Sequence, residues 1–312
     1  MSTSVNRREL LAATLGLFVV PALPQLVTAQ SPRTRLILLG TGGGPRPRKT
    51  VSASAQVILV NDTVYVVDCG DGVARQLVSA GVSLTKLRHV FITHHHSDHN
   101  ADYGNLVLLA WASGLQTQVD TWGPPPLTRM TKLFFEMNSY DIDIRIKDEG
   151  RTPLVPLVRT HEFSKGGVVM QDENVKVTAT LVDHPLVAPA FGYRFDGPDR
   201  SIVISGDTAR SDALVHLAQG ADVLVHEALW VPAVDQIVGS VANASTLKKH
   251  IMASHTAADD CGRVAEAAGV KTLVLSHLVP PDNPMITDQM WIDAASKYFR
   301  GRVVVGKDLM EI

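Results

Sequence analysis

Only two cysteines, Cys69 and Cys261, occur in 312 residues, so no disulfide framework organises this chain. Cys69 follows an apolar run and Cys261 lies in an Ala-rich pattern, and both read as small buried side chains. Aromatic residues make up 5%, too few to suggest a base-stacking platform. Neither charge sign dominates, with 29 Lys and Arg against 31 Asp and Glu, and no basic excess marks a nucleic-acid surface. What remains is a globular composition, 45% hydrophobic, in a chain long enough to bury a sizeable core.

The N-terminus has the pattern of a processing segment. Arg7-Arg8 precede an apolar run from Leu10 to Val20, then Pro21 and Pro24, and a small-residue site at Val27-Thr28-Ala29. The run is too short to span a bilayer comfortably. The paired arginines resemble a twin-arginine signal. The expectation is a twin-arginine-type signal peptide over residues 1–29 and a folded domain over 30–312. Such a chain would be periplasmic or secreted, with no membrane contact once the signal is cleaved.

Leu36-Ile37-Leu38-Leu39 predicts a strand, ended by the run from Gly40 to Gly44. That run is not a dinucleotide fingerprint, because Pro45 and Pro47 stand where a helix would have to start. Residues 57–60 and 64–67 predict a hairpin turning at Asn61-Asp62. Helices are expected over 71–80, 100–113, 128–137, 212–218 and 256–268, and several short strands over 141–182. Further strands are expected at 201–205, 222–225, 271–275 and 303–305. The order, strands followed by strand–helix units, occurs twice. Two sheets in one sandwich with helices outside fit this better than two independent domains.

His94-His95-His96-Ser97-Asp98-His99 follows the apolar run Val90-Phe91-Ile92. The pattern His-x-His-x-Asp-His crowds imidazoles and a carboxylate into one loop at a strand end. Packing gains little from this, and protonated imidazoles repel. A divalent transition metal removes the conflict by accepting the lone pairs. Partners must come from elsewhere, and His184, Asp207 and His277 each follow an apolar strand.

The chain resembles the metallo-β-lactamase-fold hydrolases, within them the tRNase Z and arylsulfatase-like branch. Gly40-Thr41-Gly42, Asp68-Cys69-Gly70, the histidine loop, Asp183-His184, Ser205-Gly206-Asp207-Thr208, His226-Glu227-Ala228, Ser254-His255-Thr256 and Ser276-His277-Leu278 carry the resemblance. It implies an α/β fold, the αββα four-layer sandwich, and two zinc ions, with manganese or iron also suiting the donors. One ion would be held by His94, His96 and His184, the other by Asp98, His99 and His277, with Asp207 between them. It also implies hydrolysis by a metal-bridging hydroxide that Asp98 helps to orient. Glu227 would orient His255, the proton donor to the leaving oxygen. Asp68 would hydrogen-bond a ligand histidine.

Two departures shape the expected substrate. Only a short segment separates His184 from Asp207, where tRNase Z enzymes carry a tRNA-gripping arm, and no lysine-rich stretch replaces it. Classical metallo-β-lactamases carry a Cys ligand where Asp207 stands. The expectation is therefore an exported dinuclear zinc hydrolase of small esters, phosphodiester or aryl sulfate, with no nucleic-acid partner and a homodimer admitted. The alternatives are a lactonase, a processing ribonuclease of the tRNase Z type, and a non-catalytic metal-binding protein.

Overall fold

A computed structural model describes residues 34–239 and 241–312. The expected signal peptide over 1–29 lies outside the described residues. The first sheet has strands β1 (Thr34–Gly40), β2 (Ala55–Val60), β3 (Thr63–Val67), β4 (Leu87–Phe91), β5 (Val119–Gly123) and β6 (Val158–Glu162), in that spatial order. The second has β7 (Gly167–Gln171), β8 (Lys176–Leu181), β9 (Phe191–Asp196), β10 (Ser201–Ile204), β11 (Val223–Leu229), β12 (Thr272–Val279) and β13 (Arg302–Val305), again neighbours in sequence order. In each sheet antiparallel pairing gives way to parallel pairing, at β3–β4 and at β10–β11.

Alternation along β1 explains the layering. Leu36 and Leu38 join the core between the sheets, with Phe91, Phe191, Tyr193, Phe195 and Ile202. Ile37 and Leu39 face the other way, into the core between the first sheet and its helices. A third core lies between the second sheet and its helices, around Leu224, Val264 and Leu273. Strands apolar on both faces are what a helix–sheet–sheet–helix sandwich requires. The expected αββα architecture is the one observed.

Three differences concern local elements. Residues 139–149 form a helix, not a strand, although Ile142, Ile144 and Ile146 alternate like one. Only Ile142 and Ile146, one helical turn apart, reach the core, while Ile144 is exposed. Arg145 meanwhile pairs with Asp141 and Glu149 at helical spacing. The other two are β11 and β12, which run on past the expected ends. Glu227 and His277 therefore sit inside strands rather than after them. No helix of the described residues is long and apolar enough to cross a membrane.

Candidate metal centre

The histidine loop hangs from the neighbouring parallel strand. The Asp68 carboxylate, just past β3, accepts hydrogen bonds from the Thr93 amide at 2.8 Å and the Thr93 hydroxyl at 2.9 Å. It also meets His99 Nδ1 at 2.7 Å, leaving His99 Nε2 free on the other side of the ring. His94 Nδ1 lies 3.0 Å from the Thr93 hydroxyl, which leaves its Nε2 free in the same way. His95 turns elsewhere, between the Pro124 carbonyl and the Asn100 amide.

The second sheet supplies the rest. His184 follows β8, and Asp207 follows β10 after Ser205-Gly206. Gly206 has φ of 61°, and a Cβ there would meet the Phe191 carbonyl oxygen at 2.7 Å. His277 has φ of 42°. It is the extra residue in the β11–β12 pairing, where Glu227 pairs with Ser276 and Ala228 with Leu278. Such a bulge re-aims one side chain out of the strand's alternation.

These segments bring two donor groups together, His94, His96, His184 with Asp207, and Asp98, His99, His277 with Asp207. Asp207 divides its carboxylate between them. Its Oδ2 lies 3.9 Å from Nε2 of His94 and of His184. Its Oδ1 lies 3.2 Å from His99 Nε2 and 3.3 Å from His277 Nε2. Asp98 Oδ2 is 3.2 Å from His277 Nε2 and accepts the Gly44 amide at 2.8 Å.

The donors fit a divalent metal. His94 Nε2, His99 Nε2, both ring nitrogens of His184 and Asp207 Oδ1 are buried without a hydrogen-bond partner. Buried polar atoms are rarely left so. Burial pushes His94 and His96 down and takes His184 to about 4, which keeps these rings neutral and able to donate a lone pair. Burial also opposes charge on Asp207, but His277 and His99 outweigh it and hold the carboxyl well below its ordinary range. Around His99 burial is outweighed by Asp207, Asp68 and Asp98, and the ring is raised. Three carboxylates converging there mark where positive charge belongs.

Glu227 and His255 lie beside this cluster. Glu227 Oε1 accepts the Thr256 amide at 2.6 Å and Oε2 faces His255 Nδ1 at 3.2 Å. Burial pulls His255 down, but Glu227, then Asp207 and Asp98, raise it to about 9. The cluster opens into a cavity of about 270 Å3. Arg46, Arg48, Ile237, Leu247, His250 and Ile251 line it, none of them marked by the sequence reading. For His250, the one signal available in the sequence is its spacing five residues before His255. Arg46 and Arg48 lie on the loop between Thr41 and Ser52, and both of these residues bond to the Asp308 carboxylate.

The sequence profile of the beta-lactamase superfamily domain matches residues 63–278. The chain belongs to the beta-lactamase superfamily. A protein named Ribonuclease Z from Mycobacterium bovis (strain BCG / Pasteur 1173P2) is 31% identical over 280 residues, 89% of this chain and 97% of that protein. One of the same name from Mycobacterium marinum is 30% identical over 280 residues, with the same coverage of each chain. Among solved structures, a metallo-beta-lactamase fold protein from Bacillus subtilis superposes with TM-score 0.66 at 21% identity, covering 89% of this chain and 98% of that one. Human tRNase Z, short form, gives TM-score 0.64 at 22% identity with the same coverage. This superfamily member is a metal-dependent hydrolase acting on ester bonds, with divalent metal ions as its cofactor.

Two expectations are corrected. The small size of the expected ester substrate and the absence of a nucleic-acid partner are both contradicted by relatives named as ribonucleases over nearly their full length. Both expectations leaned on the short stretch between His184 and Asp207, which β9 and β10 fill, and on the lack of a lysine-rich run. Those features bear on how a large substrate is gripped, not on which bond is cut. Balanced overall charge likewise hid a local basic rim, where Arg46 and Arg48 line the cavity.

Proposed function

We propose that this chain is a ribonuclease of the ribonuclease Z type, hydrolysing phosphodiester bonds in RNA, with tRNA as the first substrate to test. The observation that carries the reading is the division of Asp207, one carboxylate oxygen toward each donor group, beside the Glu227–His255 pair. The ribonuclease names of relatives at 30–31% identity support it, as do two arginines lining the cavity, suited to a phosphate-bearing chain.

We assign His94, His96 and His184 to one ion, and Asp98, His99 and His277 to the other, with Asp207 shared. The His-rich, carboxylate-bridged donor set suits zinc. Two such ions would supply charge stabilisation for the attacked phosphate and a water of pKa about 7 as nucleophile. The chain's own residues do the rest. Asp98, fixed by the Gly44 amide, orients the attacking water as hydrogen-bond acceptor. Arg46 neutralises the substrate phosphate, and Arg48 ties the loop together by donating to the Gly43, Gly44 and Arg46 carbonyls. Glu227 holds His255 through Nδ1, so that Nε2 is the atom placed to pass a proton to the leaving oxygen.

The test is cleavage of a precursor tRNA and an unstructured RNA by the zinc-loaded chain. A discrete endonucleolytic cut is expected, abolished by chelation and by Asp207→Ala. No cleavage of either RNA by protein carrying two zinc ions would overturn the reading.

A further inference from the structure

The cavity over the donor groups is not uniformly polar. Ile237, Leu247 and Ile251 line it together with Asp98, Asp207 and the two arginines. The three apolar residues come from the segment between Glu227 and His255, which folds as short helices ending in Ala244–Ser254. Leu247, His250 and Ile251 fall at spacings of three and four, so one face of that helix meets the cavity. Ile251 closes into a small apolar cluster with Leu229, Val234, Val238 and Val279, while Ile237 and Leu247 are only half-buried against it.

Apolar surface facing a charged space is unfavourable until a ligand covers it. A phosphate alone would not cover it. A planar heterocycle joined to that phosphate would, since a mostly apolar wall with a few polar anchors is the usual form of such a site. The helix Ala244–Ser254, which carries Leu247 and Ile251, is followed directly by His255 in extended conformation.

We propose that Ile237 and Leu247, backed by Ile251, form a subsite for the base of a nucleotide whose phosphate lies over the donor groups. The subsite rests on the phosphodiesterase reading above. It takes a nucleotide through two chemistries at once, the arginines and donor groups for the phosphate and the aliphatic side chains for the ring. Recognition by the aliphatic pair is sequence-tolerant, because every base has an apolar face and neither Ile237 nor Leu247 offers a hydrogen bond, although His250 shares the helix face.

The test is calorimetric binding of AMP and of ribose 5-phosphate to the zinc-loaded full chain and to its Leu247→Asn, Leu247→Met and Ile237→Asn variants. AMP is expected to bind roughly tenfold more tightly than ribose 5-phosphate, a difference of about 1.4 kcal/mol. Leu247→Asn and Ile237→Asn, on separate helices, are each expected to cut that preference to about twofold with ribose 5-phosphate unchanged, and Leu247→Met to keep it. Equal affinities in the unsubstituted chain, or a preference that survives both Asn variants, would overturn the subsite. Either result leaves RNA cleavage, measured separately, to stand or fall on its own. If the preference holds while no RNA is cut, the subsite stands and the ribonuclease reading is the part that fails.

Discussion

His99 Nδ1 lies 2.7 Å from Asp68 Oδ2, and both groups are shut off from solvent. That bond selects which ring nitrogen of His99 faces the cluster. Partners of this kind raise ligand basicity and fix ring orientation, and losing one typically costs 10–100-fold in metal affinity. Asp68→Ala is therefore expected to weaken zinc binding by roughly that factor in a chelator competition. Asp68 also holds Thr93, whose hydroxyl is the partner of His94 Nδ1, so Thr93→Val is expected to weaken affinity as well, through His94 rather than His99.

Asp207 faces both donor groups. Removing it takes away the carboxylate that faces the Nε2 atoms of His94, His184, His99 and His277. Asp207→Ala is expected to bring metal content down from two ions per chain, read by elemental analysis, and to abolish turnover together with it. A variant that kept both ions would exclude the sharing role.

The Glu227–His255 pair makes a statement about acidity. In the metal-free chain His255 is held at about 9, since Glu227, Asp207 and Asp98 outweigh its burial. An unfolded histidine titrates near 6.5. The folded value is the higher one, so the pair's stabilisation is fully present below about pH 6.5 and is lost as pH climbs through about 9. The thermal midpoint of metal-free protein should therefore fall between those values. Glu227→Gln should flatten that fall, and identical pH profiles for the two proteins would contradict the pairing.

Much of the centre was legible because its chemistry is written in short runs. His-x-His-x-Asp-His names a metal loop on its own, and His184, Asp207 and His277 each announce themselves by following an apolar run in the sequence. The layered sandwich could be read for a similar reason, since alternation such as Leu36 to Leu39 needs a core on both sides. What stayed hidden depends on chain geometry rather than residue type. The bulge that aims His277 exists only in the pairing of β11 with β12. The cavity's apolar wall depends on how residues 231–254 fold back. In residues 139–149 a strand-like spacing of isoleucines was overridden by ion pairs one helical turn apart. Substrate class was misjudged because total charge averages away a rim of two arginines.

Asp308 is far from the histidine loop in sequence, yet it grips both ends of the segment that carries Arg46, Arg48 and the Gly44 amide. It accepts the Thr41 amide and hydroxyl, both at 2.9 Å, and the Ser52 amide at 2.7 Å. Asp308→Asn places a donor against one of these amides, a local cost of about 1–3 kcal/mol. The expected outcome is a raised KM for phosphodiesters with zinc content unchanged. Loss of zinc in parallel would mean that Asp308 acts on the centre itself.

Phe91 sits between the sheets, 5.5 Å from the Tyr193 ring and 5.2 Å from the Phe195 ring. Phe91→Ala is expected to destabilise the fold by about 3–5 kcal/mol in denaturant melts. Because Phe91 ends the strand feeding the histidine loop, the same variant should also release metal more readily on chelation.

The histidine loop belongs to one sheet, whereas His184, Asp207 and His277 belong to the other. An ion seated among them works as a rivet through both layers, so its removal loosens a seam as well as emptying a pocket. Prying the halves apart, by heat or by force, and stripping the metal then become the same event approached from two directions.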